Sequence, residues 1–547
     1  MAKRKIILLL SGEICSGKTT LSESLHRELG FLHCKTKDGL KEIANKKYKN
    51  RPLDRNILQD LGETLDKKDN GKWVLNYFQE LNSKHFDEFN FYVVDAVRIL
   101  DQIKNFRQSY SYAVYHVHLE ADSNELEERY YQRGELNHVS KSEAIENYGI
   151  IKKNITESNV KKLRDDADLV INTSVCTEKD VFIRVASFLK LLTPTNCGIV
   201  DVIIGGQFGS EGKGQIAAFL SPEYDCLVRV GGPNAGHKVY ENEEPDTFHM
   251  LPSGTRRNPN AKLIIAPGAV LNLPKLLEEI NNLGVEDKDR LLIDENATII
   301  SQEDIDFEQE RKKHISSTGQ GVGSATAKNI LKRLDANSKH KAKNYKKEIG
   351  KFLGKAQDEL QLLYRENKKI LLEGTQGTLL SIHHGMYPNV TSRDTSVSGC
   401  LSEIGISPKR VRKIIMVTRT YPIRVWGNSG EFISKEITRE IIAKRSGKKL
   451  QELINTEKGS VSKKDRRIAE FSWELFRLTC EINSPTDIAL TFSDYISVNN
   501  EKARRYDQLN AETRQFIEEI ERCSGAKVSL IGTRFNYRAV IDRRNWN

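Results

Sequence analysis

Two glycine-rich segments of this chain have the residue types that hold phosphate groups. The segment GEICSGKT, Gly12 to Thr19, fits the pattern G-x-x-x-x-G-K-[ST]. The backbone amides of such a loop wrap a β-phosphate, Lys18 can bridge the β- and γ-phosphates, and the Thr19 hydroxyl can ligate Mg²⁺. We therefore predict a nucleotide site formed by Gly12, Gly17, Lys18 and Thr19, with Thr19 as a metal ligand.

The second segment, QFGSEGKG from Gln207 to Gly214, departs from this pattern because it opens with glutamine and ends with glycine. It keeps the glycines that let a backbone approach phosphate oxygens closely. Lys213 occupies the position of the phosphate-binding lysine. One chain therefore carries two related loops, of which the second is altered at both ends.

Strand-like and helix-like patterns alternate around both loops. The first loop follows the apolar run KIILLLSG and precedes KTTLSESLHREL, whose apolar spacing suits a helix. The second loop follows GIVDVIIGG and precedes the helical pattern GQIAAFLS. Phosphate-binding loops occur in this order of strand, loop and helix. We predict an α/β fold with two P-loop-type α/β domains, each with a central, mostly parallel sheet flanked by helices.

The point at which this pattern restarts predicts the domain boundary. The helical pattern EKDVFIRVASFLKLL ends the first region at residue 192, and TPTNCG, residues 193–198, is a turn-rich linker. We predict one domain over residues 1–192 and a larger one over 199–547. A lysine-rich stretch, roughly residues 325–370, is typical of a solvated helical subdomain.

Composition favours a cytoplasmic protein that binds phosphorylated small molecules. The 547 residues are 38% hydrophobic and 29% charged, and no stretch approaches the roughly 20 apolar residues that a membrane helix needs. The eight cysteines are scattered without a C-x-x-C pair, which argues for a reducing compartment and against a metal cluster. The net charge of +10 suits phosphorylated ligands, and no basic tail or aromatic-rich strand indicates nucleic-acid binding.

Other motifs of the first region resemble small nucleoside and deoxynucleoside monophosphate kinases. They are RNILQDLGETL (residues 55–65), FYVVDAVR (91–98) and ADLVIN (167–172). The resemblance implies that Asp95 and Arg98 lie beside the phosphate acceptor and that Arg129 and Arg133 clamp the transferring phosphates. The alternative is a P-loop domain that binds nucleotide as a sensor without transferring phosphate.

The second region resembles the adenylosuccinate synthetase family over nearly all of residues 198–547. Its motifs occur in the family's order: GGQFGSEGKGQ (205–215), RVGGPNAGHKVY (229–240), FHMLPSG (248–254), STGQGVG (317–323), LLEGTQGTLLSIHHGMYPNVTS (371–392), RTYPIRV (419–425) and LTFSDY (490–495). The resemblance implies a ligase that couples L-aspartate to C6 of a 6-oxopurine nucleotide. A nucleoside triphosphate first phosphorylates O6, because oxygen is a poor leaving group, and aspartate then displaces phosphate.

The resemblance also implies roles for residues at matching positions. Lys213 adds positive charge at the γ-phosphate, His237 acts as general acid at the O6 phosphoryl group, and the Gly236 carbonyl helps to hold Mg²⁺. The triphosphate loop comprises Gln207, Gly209, Glu211, Gly212 and Gly214. The acceptor nucleotide is held by Asn234, Thr318, Gln376 and Thr391, with Gln376 also catalytic; aspartate is held by Lys464, Arg466 and Arg467; and the base of the triphosphate is held by Asp494.

Ser210 stands where family members that make ordinary adenylosuccinate carry an aspartate, which takes the N1 proton and touches Mg²⁺. A serine hydroxyl is too weakly basic to take that proton at neutral pH. Either the site has lost or altered its chemistry, or the substrate is guanylate or deoxyguanylate, whose C2 amino group lies beside N1. The second reading resembles phage-type relatives that act on deoxyguanylate. Glu211 and the substrate itself are the candidates for the missing base.

Three further expectations follow from the resemblance. Phe492 replaces a lysine of many relatives, and Thr533-Arg534-Phe535 replaces a small turn at the base of the triphosphate, so ATP or dATP competes with GTP as the donor. Family members act as homodimers to which the neighbouring subunit contributes an arginine, and Arg333 is the nearest candidate.

The alternatives for the function of the chain are an ordinary adenylosuccinate synthetase that uses inosinate and GTP, and a non-catalytic nucleotide sensor.

Overall fold

The computed structural model describes residues 5–48, 55–85, 89–110, 113–135, 146–150, 155–192, 198–241, 244–287, 289–311, 317–335, 339–458 and 465–546. The chain divides into two compact units, Met1–Leu192 and Thr193–Asn547. Both are α/β units with mostly parallel sheets, which confirms the predicted fold class. No helix in the described part of the chain is long and apolar enough to cross a membrane.

The N-terminal unit has a parallel five-stranded sheet in the order β2-β3-β1-β4-β5. Its strands are Ile6–Gly12 (β1), Leu32–Lys35 (β2), Phe91–Asp95 (β3), Ala113–Glu120 (β4) and Leu169–Asn172 (β5). Its helices are Lys18–Leu29 (α1), Thr36–Lys47 (α2), Arg55–Asp69 (α3), Lys72–Lys84 (α4), Leu100–Ser109 (α5), Ser123–Glu135 (α6), Ile155–Lys162 (α7) and Glu178–Phe188 (α8).

The central strand β1 is buried along its whole length because both faces of the sheet are covered. Leu8 and Leu10 pack into the core on one face, and Ile7 and Leu9 pack into the core on the other. In the register between β1 and β3, Leu10 lies opposite Asp95. The first glycine loop and Asp95 therefore emerge from the same edge of the sheet.

The C-terminal unit has a ten-stranded sheet in the order β14-β12-β10-β7-β15-β6-β16-β20-β21-β22, and only its last pair, β21 with β22, is antiparallel among the described strands. The strands of this sheet are Val200–Gly205 (β6), Cys226–Arg229 (β7), Lys262–Ile265 (β10), Leu291–Asp294 (β12), Leu353–Gly354 (β14), Ile370–Glu373 (β15), Val411–Arg419 (β16), Asp487–Thr491 (β20), Lys527–Gly532 (β21) and Val540–Asp542 (β22).

Smaller sheets and helices complete this unit. The small-sheet strands are His237–Tyr240 (β8), Pro245–Phe248 (β9), Val270–Leu271 (β11), Thr298–Ile299 (β13), Ile423–Arg424 (β17), Glu436–Ile437 (β18) and Arg467–Ala469 (β19). The helices are Lys213–Leu220 (α9), Leu273–Asn282 (α10), Gln302–Arg311 (α11), Val322–Leu331 (α12), Lys346–Ile349 (α13), Ala356–Arg365 (α14), Val397–Ile404 (α15), Arg439–Ser446 (α16), Leu450–Thr456 (α17), Trp473–Asn483 (α18) and Ala511–Ser524 (α19).

The second glycine loop joins the buried strand β6 to α9, which is buried over nearly its whole length. Side chains of β6 alternate between two cores, with Ile203 on one face and Val202 and Ile204 on the other. This alternation fixes the direction in which the chain leaves the sheet at Gly205.

The prediction of a solvated helical subdomain over residues 325–370 is wrong in part. Helices occupy only stretches of it, and the short strand β14 pairs with β12. Ala342, Ile349 and Phe352 are almost completely buried in the main core. Lysines are frequent in this stretch, but its apolar residues are inside the unit.

Candidate active sites

The first glycine loop connects the end of β1 to the start of α1 at Lys18. A Cβ atom on Gly12 would lie 2.1 Å from the Leu119 carbonyl oxygen, so only glycine permits this close approach. The Lys18 ammonium group donates hydrogen bonds to the carbonyl oxygens of Gly12 and Glu13, each at 2.8 Å. The predicted phosphate-binding lysine is thus folded back onto the loop's own backbone.

Thr19 and Asp95 form the part of this site that suits a metal ion. The Thr19 hydroxyl donates to Asp95 Oδ2 at 3.0 Å, and His33 Nε2 lies 3.5 Å from the same oxygen. Burial opposes ionisation of Asp95, but His33, the Lys18 charge and the Thr19 hydrogen bond together lower its pKa. A hydroxyl beside an ionised carboxylate is an oxygen donor set of the kind that Mg²⁺ prefers.

A cleft of about 1500 Å³ extends from this loop across the N-terminal unit. Its lining includes all of the residues predicted for the site, which are Gly12, Gly17, Lys18, Thr19, Asp95, Arg98, Arg129 and Arg133. The structure therefore brings these residues to one cavity, and their individual roles stay predictions.

The two arginines that are predicted to clamp the transferring phosphates differ in their contacts. Arg129 donates to the hydroxyl and the carbonyl oxygen of Thr173 and to Glu125, each at 2.9 Å. These bonds anchor Arg129 to the end of β5, so it can clamp a phosphate only after breaking some of them. Arg133 lies one turn further along α6 and is exposed.

Sequence reasoning missed a polar cluster at the far end of this cleft. Asp66 Oδ1 accepts hydrogen bonds from Trp73 Nε1 at 2.7 Å and from Gln102 Nε2 at 2.8 Å. The side-chain oxygen of Gln102, Oε1, accepts a hydrogen bond from the Arg98 backbone amide at 2.8 Å. Burial raises the pKa of Asp66. The cluster joins α3, α4 and α5, and no local spacing in the sequence indicates it.

The second loop differs from the first because it contains its own anion. Glu211 accepts hydrogen bonds from the backbone amides of Gln207 at 3.0 Å and Gly209 at 2.7 Å, and from Lys213 Nζ at 2.7 Å. The side chains of Glu211 and Lys213 are completely buried. Two amides predicted to cradle a γ-phosphate are thus occupied by the loop's own carboxylate. The same contacts engage both carboxylate oxygens of Glu211, so it can act as the missing base only after breaking some of them.

Steric crowding explains why the second loop ends in glycine. A Cβ atom on Gly214 would lie 2.9 Å from the Cβ of His237, so a serine or threonine at this position would collide with the hairpin of β8 and β9. Gly212 has a φ of 89° and begins α9 in the left-handed region. The altered ending of this loop brings His237 against the start of the helix.

His237 belongs to a buried network with Arg229, Ser253 and Glu373. Glu373 Oε1 lies 2.5 Å from His237 Nδ1 and 2.6 Å from Arg229 Nη1, and Glu373 Oε2 accepts from the Ser253 amide at 2.7 Å. Burial opposes ionisation of Glu373, but Arg229, His237 and Ser253 outweigh it and lower its pKa to about 2. The network holds the imidazole in one orientation.

The charge state of His237 in the unliganded protein bears on its predicted role as general acid. Burial and the charge of Arg229 lower the pKa of His237 to about 3, so the imidazole is neutral at neutral pH. We assign the proton to Nδ1, which faces Glu373. Nε2 is buried and has no hydrogen-bond partner in the described residues. In the unliganded protein this nitrogen is therefore set to accept a hydrogen bond or a proton.

Three residues predicted to hold the acceptor nucleotide meet at one point. The Thr391 hydroxyl accepts from Gln376 Nε2 at 2.7 Å and from Asn234 Nδ2 at 3.4 Å. The carbonyl oxygens of Asn234 and Gln376 are buried and lack a partner within the described residues. Both can accept hydrogen bonds from a ligand. Thr318 is half-buried in the segment before α12 and makes no side-chain hydrogen bond to these three.

Ser210 and Gly236 are the residues of this unit that are predicted to hold the metal. Ser210 is half-buried, and its carbonyl oxygen accepts from Arg419 Nη1 at 3.3 Å. Gly236 immediately precedes His237. The Ser210 hydroxyl and the Gly236 carbonyl are oxygen donors suited to Mg²⁺. No cluster of three His, Cys, Asp or Glu residues suited to a metal occurs in the part of the chain that the structure describes.

Two of the residues predicted to hold aspartate already have acidic partners. Arg466 Nη1 lies 3.4 Å from Glu457, and Arg467 pairs with Glu436 and donates to the Gly430 carbonyl oxygen at 2.6 Å. Lys464 lies outside the described residues.

The predicted base-binding residue Asp494 is almost completely buried. Its Oδ2 accepts from Lys448 at 2.7 Å, and its Oδ1 has no partner in the described residues. Burial outweighs the Lys448 charge and raises the pKa of Asp494 to about 6. Nearby, the rings of Phe492 and Phe535 stack at a centroid distance of 5.3 Å. An apolar wall thus replaces the lysine that many relatives carry at position 492.

Comparisons with known proteins agree with these features. The family model for adenylosuccinate synthetase matches residues 202–335 and 329–501, and a model for an AAA domain matches residues 8–174. The adenylosuccinate synthetase of Methanocaldococcus jannaschii is 34% identical over 351 residues, covering 63% of this chain and 96% of that protein. The enzyme of Pyrococcus horikoshii is 34% identical over 356 residues, covering 63% and 98%.

Two solved structures are similar to the C-terminal unit. A fully ligated adenylosuccinate synthetase from Plasmodium falciparum has a TM-score of 0.55 at 23% identity and covers 63% of this chain and 100% of that chain, so it supports the fold alone. A succinoaminodeoxyadenylate synthetase of cyanophage S-2L, bound to dGMP and to dATP as an energy donor, has a TM-score of 0.53 at 25% identity and covers 64% and 96%.

Proposed function

The chain belongs to the adenylosuccinate synthetase family, and we propose that its acceptor is a 2-amino-6-oxopurine nucleotide, deoxyguanylate or guanylate. The C-terminal unit is a C–N ligase of the adenylosuccinate synthetase type. In this proposal it couples L-aspartate to C6 of the purine through an O6-phosphorylated intermediate, with ATP, dATP or GTP as the phosphoryl donor. The product is a 2-amino analogue of adenylosuccinate.

The observation that carries this proposal is the serine at position 210. Ordinary members of the family have an aspartate there, whose carboxylate would lie beside N1 and C2 of the purine. The shorter serine leaves room for a C2 amino group, and its oxygen can still accept a hydrogen bond from an N–H group. The similarity in fold to the cyanophage synthetase, which binds dGMP and dATP, supports the same acceptor and an adenine donor.

Some residues of the site would bind the acceptor, and others would transfer a proton. Gln376, Asn234 and Thr391 position the acceptor, whose N–H groups can satisfy the buried carbonyl oxygens of Gln376 and Asn234. In this proposal His237 takes up a proton at Nε2 from solvent when the anionic O6 phosphoryl group is present and donates a hydrogen bond to that group as general acid, and Glu373 stabilises the imidazolium. The Gly236 carbonyl and the Ser210 hydroxyl would hold Mg²⁺, which would supply charge neutralisation for phosphoryl transfer.

We further propose that the N-terminal unit is a nucleoside monophosphate kinase. Lys18, Thr19 and Asp95 line a cleft that is large enough for two nucleotides, with Arg98 and Arg133 along its wall. Sensing without phosphoryl transfer is the alternative. Aspartate-independent formation of ADP from ATP and a monophosphate separates the two.

We also propose a homodimer in a reducing compartment such as the cytoplasm. Ile330, Leu331 and Leu334 are 60%, 71% and 87% exposed on either side of Lys332 and Arg333. An apolar surface of this kind is typical of a protein interface. The cysteines of the described residues are all free thiols, which fits a reducing environment. Light scattering of the purified chain measures its oligomeric state.

Aspartate-dependent phosphate release tests the ligase proposal. The purified chain is supplied with Mg²⁺, L-aspartate and ATP, dATP or GTP, and with inosinate, guanylate or deoxyguanylate as acceptor, and products are identified by mass. We expect turnover with guanylate or deoxyguanylate. Turnover with inosinate alone would favour an ordinary adenylosuccinate synthetase, to which the 34% identity of the archaeal enzymes also points. No aspartate-dependent release with any acceptor would favour the sensor.

A further inference from the structure

Two arginines lie directly opposite each other in the small sheet of the C-terminal unit. Strands β17 and β19 are antiparallel, and Arg424 is the register partner of Arg467. Residues paired in this way share a face of the sheet with Cβ atoms about 5 Å apart, and like charges at such positions are destabilising. An anion between or beside the two arginines would therefore reduce their repulsion.

Only one of these arginines has an acidic partner in the described residues. Arg467 pairs with Glu436. Arg424 donates its Nε hydrogen to the Ser429 carbonyl oxygen at 2.8 Å, and its guanidinium carbon lies 4.2 Å from the Phe208 ring centroid. Its Nη1 and Nη2 atoms are buried without a hydrogen-bond partner in the described residues, and the residue is only 3% exposed.

Such an arrangement is costly unless a ligand completes it. A buried cation without hydrogen-bond partners destabilises a folded protein. Burial and the nearby charge of Arg467 lower the pKa of Arg424 to about 10, so it remains a cation at neutral pH. No other buried arginine of the described residues lacks partners at both terminal nitrogens.

The surroundings place Arg424 beside the ligase site. Phe208, against which it stacks, belongs to the second glycine loop. A Cβ atom on Gly430 would lie 2.1 Å from Arg424 Nη2, so glycine is required there for the guanidinium to occupy this position. Asn389 Nδ2 donates to the Asn428 carbonyl oxygen at 3.0 Å and so ties the turn of residues 427–430 to the segment that ends at Thr391.

We propose that Arg424, together with its cross-strand neighbour Arg467, binds a carboxylate of the amino acid that the ligase couples. This inference rests on the proposed function. Of the arginines predicted to grip aspartate, Arg466 is next to Glu457 and Arg467 is next to Glu436, whereas the terminal fork of Arg424 is unoccupied. A guanidinium fork matches a carboxylate with two parallel hydrogen bonds.

Entry to this position requires movement of the turn that covers it. The Nη atoms are buried, but the neighbouring Val425 and Trp426 are 38% and 56% exposed. Ser429 and Gly430 lie against the guanidinium and belong to this turn, so the cover includes a surface turn. The amino acid reaches Arg424 when this turn moves, and the turn then closes over the bound carboxylate.

Substitution of Arg424 tests the proposal through the separate KM values of the three substrates. We expect Arg424→Gln to raise the KM for L-aspartate by about 10-fold or more, with little change in the KM values for the acceptor and donor nucleotides. Arg424→Lys keeps the charge but not the fork, so we expect it to remain impaired. Arg477→Gln is the matched control, because Arg477 is an exposed arginine paired with Glu481 on α18. An unchanged KM for aspartate would overturn the proposal, and so would a rise confined to the acceptor, which would assign the anion to a nucleotide phosphate.

Direct binding separates failure of this inference from failure of the proposed function. Calorimetric titration of L-aspartate into the full chain with deoxyguanylate present is expected to show binding in the wild type and in Arg477→Gln, and weaker binding in both Arg424 variants. A wild type that binds aspartate without releasing phosphate would refute the proposed function alone. Equal affinity in wild type and in Arg424→Lys, the variant that keeps the buried charge, would refute the role of Arg424 alone. The unfolding temperature of each variant shows whether it is folded.

Discussion

The two glycine loops of this chain have the same order of strand, loop and helix, but different groups hold their lysine side chains. In the first loop, Lys18 contacts the carbonyl oxygens of Gly12 and Glu13, which are uncharged groups. In the second, Lys213 is completely buried against the carboxylate of Glu211, which also takes two loop amides.

This difference teaches what each loop requires from a ligand. In the first loop backbone carbonyl oxygens hold the lysine, and the phosphate oxygens of a triphosphate can take their place. In the second loop, the carboxylate of Glu211 already balances the charge of Lys213 and binds two loop amides. We therefore expect this loop to keep its conformation without a nucleotide. The partners after the loops differ as well, since Thr19 faces Asp95 while Gly214 makes space for His237. The first arrangement suits the binding of a metal ion and of a phosphate that is transferred. The second suits a preformed site in which a group on a purine is substituted.

The largest expected effect is on the first loop alone. Substitution Lys18→Ala removes the cation that bridges the β- and γ-phosphates, so we expect aspartate-independent ADP formation to fall by about 100-fold or more. Aspartate-dependent phosphate release should persist, because the second loop has its own lysine. Lys84→Ala is the control, as Lys84 is an exposed lysine on α4 paired with Glu80. Equal loss of both activities would show that the loops do not act separately.

Removal of the internal anion tests the second loop. Glu211→Gln leaves Lys213 buried without a counterion, and we expect it to lower the free energy of unfolding of the C-terminal unit by about 3–5 kcal/mol. The comparison in the first loop is Glu13→Gln, which changes that loop's own acidic residue at a different position. Glu13 pairs with Lys161, which is half-exposed, at 3.3 Å, so we expect a loss below about 1 kcal/mol. Denaturant unfolding followed by intrinsic fluorescence measures both, and similar losses would contradict the difference between the loops.

A smaller effect is expected in the dependence of stability on pH. Burial lowers the pKa of His237 from 6.5 to about 3. Between these values the unfolded chain binds more protons than the folded chain, so this residue makes stability fall as pH is lowered from about 6.5 to about 3. We expect His237→Gln to weaken this dependence. His383→Gln should leave it unchanged, because His383 is exposed. Unfolding temperatures across this pH range would contradict the account if wild type and His237→Gln lost stability in parallel.

The sequence was sufficient for the elements that carry the two loops. A buried apolar run followed by glycines and a helical pattern predicted both strand–loop–helix units, and α1 spans the predicted segment Lys18–Leu29. The resemblance also placed Asn234, Gln376 and Thr391 together, as the structure does. These features depend on local pattern or on motifs that can be recognised individually.

The remaining features depend on contacts between distant segments. Arg229 and Glu373 are 144 positions apart and meet because β7 and β15 are neighbours in the sheet, where the two residues share a register. A charged residue at the end of each apolar strand was the only signal in the sequence. The pairing of Arg424 with Arg467 likewise needs the register of two short strands. The burial of Glu211 depends on packing around the loop, which spacing does not reveal.

The central claim is that Ser210 selects a 2-amino purine, and the most direct test compares acceptors in wild type, Ser210→Ala and Ser210→Asp. The measurement is kcat/KM of aspartate-dependent phosphate release with deoxyguanylate and with inosinate. We predict that wild type and Ser210→Ala prefer deoxyguanylate, and that Ser210→Asp shifts the ratio toward inosinate by about 10-fold or more, because the carboxylate fills the space beside C2 and restores the base at N1. Wild-type turnover with inosinate alone, unchanged in preference by Ser210→Asp, would contradict the account.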